Sequence, residues 1–244
     1  MVDFFKENQF IIFKGVEILA AVTGLCLYAK YKFTPAKYFI WFLVYVVFIE
    51  NIGAYPRILS IYESLSHYND MIQGTIFQTN RWWYTIFWSI GSILFFSFYY
   101  YKILINRLNK DILKISTILF VICTLVIILN NGMRFFNTVL PSISVLGFII
   151  IIECVVFYFI ETLNSDKILN FYKSLNFYIS AVILIFWLVK TPLSFYEIYY
   201  RKIDMDYVNL RGNINLFIIS FMYLTYTIGL IVSYPESIEN NSRF

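Results

Sequence analysis

Six ionisable residues stand inside otherwise apolar stretches of this chain: Lys14, Glu17, Glu50, Glu153, Lys190 and Glu197. Each costs about 2.5–3.5 kcal/mol to insert into hydrocarbon on insertion scales, so each needs a partner or a wet cavity. Spacing says which of them can meet. Lys14 and Glu17 lie three residues apart and share one helical face. Glu50 and Arg57 share a face if their helix continues past Pro56. Further along, Asn176, Ser180, Trp187, Lys190, Ser194 and Glu197 fall on one stripe, and Pro192 interrupts the helix beside Lys190, freeing the carbonyl of Leu188. Arg81, Thr85, Ser89 and Ser92 align, as do Ser220, Tyr223 and Thr227. The expected chemistry is binding, in an outward-facing polar cavity lined by Lys14, Glu17, Glu50, Arg57, Arg81, Glu153, Trp187, Lys190, Ser194 and Glu197, with Lys190 paired to Glu153 or Glu50. Plainer roles compete with this one. Intramembrane Ser and Thr bond to their own helix backbone, charges near helix ends snorkel, and a buried pair serves equally to fix helix register.

Several reaction chemistries have no residues to carry them. The chain has one histidine, His67, so it lacks the ligand set of an intramembrane metallohydrolase and the membrane-embedded histidine of a Ser–His dyad. A retinal protein needs its Schiff-base lysine on the last helix, whereas the seventh apolar stretch has none. No Gly-rich phosphate loop is present. The sequence calls for no metal or other cofactor. Glu50 and Glu153 leave a membrane-embedded lipid-modifying enzyme as a minor alternative.

The elements that position these residues follow from composition. Of 244 residues, 60% are apolar or aromatic and 14% charged, with mean hydropathy +0.69; a soluble domain carries about a quarter charged residues. Disorder and a disulfide-stapled scaffold are both excluded. Seven stretches reach the length needed to cross a bilayer, at about 10–28, 38–55, 83–102, 113–129, 142–160, 175–196 and 215–234. Barrel-type alternation is absent. The expected fold is an all-α polytopic bundle of seven transmembrane helices forming a single domain over residues 1–244. Lys14 and Glu17 interrupt the first stretch and no cleavage site follows it, so it reads as a retained helix.

Ten Lys and Arg residues fall on one side of these spans, in the 1–2, 3–4 and 5–6 loops and the tail, against seven on the other. The positive-inside rule then puts the amino terminus outside and the carboxyl terminus in the cytoplasm. The same loops account for the net charge of +4, so no nucleic-acid partner is implied. Residues 56–82 read as an outer interfacial segment, with Ile58, Ile61, Tyr62, Leu65 and Tyr68 at helical spacing among polar residues. Trp82-Trp83 and Tyr99-Tyr100-Tyr101, at the two ends of the third span, read as interface belts. Cys26, Cys123 and Cys154 fall within spans as small packing residues.

The run Phe48-Ile49-Glu50-Asn51-Ile52-Gly53, followed by Asn80-Arg81-Trp82-Trp83-Tyr84-Thr85, resembles a group of uncharacterised seven-span membrane proteins of Bacteroidota, in which an acidic second helix precedes a Phe/Tyr-rich third helix. The resemblance implies a bacterial source and an inner-membrane location, and carries no activity with it. Taken together, the residues lead us to expect a non-enzymatic, receptor-like or scaffold protein of the cell inner membrane. Its contacts would be the lipid bilayer and another protein in trans or a further copy of itself. A transporter or oligomeric pore, such as a bacterial defence effector, is the alternative.

Overall fold

The computed structural model describes residues 2–199 and 205–235. Every regular element among them is helical. The long helices are α1 (Val2–Cys26), α2 (Ala36–Gly53), α3, α4 (Arg107–Asn131), α5 (Pro141–Leu163), α6 (Leu175–Tyr199) and α7 (Met205–Val232). Here α3 denotes the unbroken succession Arg81–Trp83, Tyr84–Ile90 and Gly91–Ile103. Among the described residues, six helical stretches are long and apolar enough to cross a membrane: Gln9–Cys26, Ala36–Ile61, Arg107–Asn131, Pro141–Leu163, Leu175–Phe195 and Val208–Val232. The chain therefore has the build of a multi-pass helical membrane protein.

The remaining expected span coincides with α3, whose winding is not uniform. Tyr84–Ile90 is a π-helix and Gly91–Ile103 an α-helix. A side chain that enters the backbone ladder loosens it in this way. Here it comes from α2: the Tyr45 hydroxyl donates to the carbonyl of Phe87 at 2.8 Å. Gly91 leaves the room, since a Cβ there would lie 3.1 Å from that hydroxyl oxygen.

Packing closes six of the helices into a ring. α1 lies against α2 and α7, α7 against α6, α6 against α5, α5 against α3, and α3 against α2. α4 packs on α5 and α3 from outside. Its outward residues Ile115, Ile118, Leu119, Ile122, Leu125 and Leu129 are all exposed, as lipid contact requires. At the α3–α5 contact a glycine receives a side chain from the neighbouring helix. A Cβ on Gly147 would sit 2.1 Å from Ile93 Cδ1, so the buried Ile93 side chain occupies the space that the glycine leaves.

The two ends of the ring differ. One end is filled by Phe39, Phe96, Tyr99, Tyr100 and Tyr226, each at most 1% exposed. Phe39 meets Tyr226 edge-on at 4.9 Å, joining α2 to α7. Helix ends there are capped by distant residues. The Tyr31 hydroxyl donates to the carbonyls of Leu230 and Ser233 at 2.9 and 3.1 Å, and Lys30 Nζ donates to that of Ile231 at 3.2 Å. These satisfy the last turn of α7, where a cation also suits the helix dipole. Burial pushes the Tyr31 phenol up to about 12, so it remains a donor at neutral pH. The Glu161 carboxylate accepts from the amides of Ile105 and Asn106 and from Asn109 Nδ2, at 2.6, 3.1 and 2.9 Å, where α4 begins. The interface belt expected at Tyr99-Tyr100-Tyr101 is corrected accordingly: Tyr99 and Tyr100 are fully buried, and Tyr101 alone faces outward. Their hydroxyls find partners across the ring in Asn176 and Ser180 of α6, so both rings can be buried whole.

At the other end, Tyr55–Ile61, Glu63–Leu65 and Ser66–Ile72 form three short exposed helices. The segment is helical, as its spacing predicts, and presents Ile61, Tyr62 and Met71 outward.

Glycine at the α3–α5 crossing gives a sharp expectation. Gly147→Ala should lower the stability of the detergent-solubilised protein by about 1–3 kcal/mol, read as a drop in melting temperature. Adding Ile93→Val, which removes the Cδ1 atom in the way, should recover part of the loss.

Candidate functional site

α1 is predominantly apolar through its middle turns, yet it carries Lys14 and Glu17 one turn apart on the face turned to α2 and α7. Glu17 is 5% exposed and Lys14 14%. Lys14 Nζ stands 3.7 Å from a Glu17 oxygen and 3.7 Å from Glu50 Oε2 on α2, so one ammonium serves two carboxylates. The i,i+3 pair is the one its spacing predicts. Its extension to Glu50 is tertiary.

α3 completes the carboxylate end. The Tyr84 hydroxyl donates to Glu50 Oε2 at 3.1 Å. Tyr84 reaches it by passing close over Gly53, where a Cβ would come within 2.9 Å of the Tyr84 ring and of Trp83 Cδ1. Trp83 Nε1 donates to the carbonyl of Ile49 at 3.0 Å, and Asn80 Nδ2 to that of Gly53 at 2.6 Å. These bonds fasten the end of α2 to the start of α3. Trp83 and Trp82 are thus half-buried pieces of this junction, Trp82 packing on Phe77 and Phe136.

Inside the ring is a cavity of about 490 Å³, within the range of small-ligand pockets. Glu17 and Glu50 line it, and so do Asn80, Arg81, Tyr84, Thr85, Trp88 and Ser89 of the α3 region. The opposite wall comes from Trp187, Lys190, Leu193 and Ser194 of α6 and Arg211, Met222 and Tyr223 of α7. α5 contributes Ser144, and α4 contributes no lining residue. The lining joins charges of both signs to aromatic faces.

The sequence-derived residues separate as follows. Glu17, Glu50, Arg81, Trp187, Lys190 and Ser194 line the cavity, and Lys14 is bound to two of them. Glu153 is elsewhere, accepting a hydrogen bond from Ser116 of α4 at 3.0 Å. Its place on α5 turns it toward the peripheral helix, away from the ring interior. The expected Lys190–Glu153 pairing is replaced by a bond from Lys190 Nζ to Asn215 Oδ1 at 2.9 Å, while Lys190 remains near enough to Glu50 to act on it electrostatically. Arg57 does not join Glu50. It is exposed, with its guanidinium 4.3 Å from the centre of the Phe10 ring, because the chain turns at Ala54 before the short helix that carries it. The side chain of Glu197 lies outside the described residues.

The hydroxyl stripes largely take the plainer role. Thr85, Ser194 and Thr227 bond to backbone carbonyls of their own helices. Tyr223, aligned with Ser220 and Thr227 by helical spacing, does line the cavity, whereas sequence reasoning missed Tyr84, Trp88, Asn215 and Arg211 as members of the site. For Asn215, an amide opening an apolar stretch was the available signal. The aromatics had none, in a chain with 21 tyrosines and 26 phenylalanines.

Fold and site together define a multi-pass helical membrane protein with a charge-lined cavity inside its ring. No protein-family model matches the chain, and no curated protein or solved structure matches it either.

The shared lysine orders the expected effects of substitution. Lys14→Met removes the cation that stands between the two carboxylates and should destabilise the protein by roughly 3–5 kcal/mol. Glu17→Gln leaves a one-to-one Lys14–Glu50 pair and should cost markedly less. The double variant Lys14→Met/Glu17→Gln should recover part of the loss. Thermal unfolding of the four proteins in detergent checks the order.

Proposed function

We propose that this protein is a receptor-like integral membrane protein of the cell inner membrane, whose cavity binds a small ligand from outside. The observation that carries the reading is the place of the cavity in the ring: its lining includes Glu17 and Glu50, while the buried aromatics around Phe39, Tyr99 and Tyr226 fill the other half. A cavity confined to one half of the bundle suits capture of a ligand better than conduction through it. In this reading α3 is a seventh crossing, supported by its unbroken helical winding from Arg81 to Ile103. The amino terminus and residues 56–82 then lie outside, supported by the excess of Lys and Arg in the loops on the other side. Those basic loops would meet a protein partner or a second copy in trans.

A second reading, a transporter, has one observation in its favour. The two helices with irregular winding or an internal proline, α3 and α6, both line the cavity. Helices interrupted beside a site are common in alternating-access proteins.

Accessibility separates the topologies, and flux separates the functions. In a background with Cys26, Cys123 and Cys154 replaced, Ser89→Cys and Ser194→Cys should react with an impermeant thiol reagent added to intact spheroplasts. Labelling only after lysis would reverse the orientation. Reconstituted protein should bind solutes without moving them across a proteoliposome membrane; uptake of a labelled amine or amino acid would favour the transporter.

A further inference from the structure

The carboxylate end of the cavity holds a buried acceptor without a donor. Glu17 and Glu50 together bring two carboxylates, and Lys14 is the ammonium standing between them at 3.7 Å from each. Neither contact is at hydrogen-bonding distance, and Glu17 Oε2, in a side chain 95% buried on the cavity wall, accepts no hydrogen bond. A buried acceptor without a donor costs about 1–3 kcal/mol, and more when it is charged. A group that brought both a donor and a positive charge would remove that cost. The walls beside it suit such a group, because Tyr84, Trp88 and Tyr223 line the same space and tyrosine and tryptophan faces attract cations.

We propose that the cavity takes a ligand bearing a primary ammonium group, held by Glu17 and Glu50 against these aromatic faces. The inference rests on the ligand-binding reading above and narrows it to a chemical class. The ammonium could belong to a simple arylalkyl amine or to an amino acid. An amino acid would bring a carboxylate as well, to a cavity whose lining also includes Arg81, Lys190 and Arg211. The apolar lining from Leu193, Phe186 and Met222 accommodates a hydrocarbon or aromatic remainder. No covalent step is involved.

The test uses the full-length protein in detergent and three probes that share one ring: phenethylamine, phenylalanine and phenylacetate. Phenethylamine at saturation should raise the melting temperature by about 5 °C, and phenylacetate should not. If phenylalanine matches or exceeds the amine, the ligand is an amino acid. If it fails while the amine succeeds, the ligand is a simple amine. Glu17→Gln should weaken binding of the effective probe about 10- to 100-fold, the loss expected for one charge-assisted hydrogen bond. Stabilisation by phenylacetate alone, by none of the three, or by the amine equally in wild type and Glu17→Gln overturns the proposal. The comparison of probes on the wild-type protein stands even if the variant does not fold. Failure here with Ser89→Cys and Ser194→Cys still labelled from outside would leave the receptor-like reading intact and remove only the ligand class.

Discussion

In the low dielectric of a helix bundle, a lysine shared by two glutamates is both a strong constraint and an incomplete one. Lys14 can lie 3.7 Å from Glu17 and from Glu50 only if α1 and α2 keep one rotation and one height relative to each other. Helices in lipid lack a hydrophobic force between them, so polar contacts carry more of the burden of register than in water. Tyr84 extends the constraint to α3, and the bare backbone of Gly53 lets it do so. Three helices are therefore fixed around one charge cluster, and the cavity is the space that remains on its far side.

The closed end works by different physics. Large aromatic rings fill it to full burial, and the hydroxyls of Tyr99 and Tyr100 are paired across helices with Asn176 and Ser180. The helix ends nearby are capped by Tyr31, Lys30 and Glu161, each from a distant part of the chain. Such an end has few groups left to rearrange. The π turns of α3 and the internal Pro192 of α6 stand beside the cavity. A rigid base below an adaptable binding space is a sensible division for a protein that captures a ligand.

Periodic and compositional information was legible along the chain. Long apolar runs fixed the helices, because a membrane admits no other open-ended backbone in which every amide is paired. Lys14 and Glu17 were readable as a pair since their contact is set by the helix itself. Trp187, Lys190 and Ser194 were readable as one face for the same reason. In each case the determining distance lies within one helix.

What lay between helices was settled only by packing. The sequence marked Glu50 and Glu153 alike as buried carboxylates, yet the ring turns one toward Lys14 and the other toward Ser116 on the peripheral helix. It marked three consecutive tyrosines as a belt, and the closed ring buries two of them against Asn176 and Ser180 of α6. Lys190 bonds to Asn215 of α7 and acts on Glu50, while Glu153 lies elsewhere. Helical periodicity says which residues share a face, but the order of helices around the ring decides what that face meets. That order depends on close approaches such as Gly147 with Ile93 and Gly53 with Tyr84, which exist only once the helices are assembled.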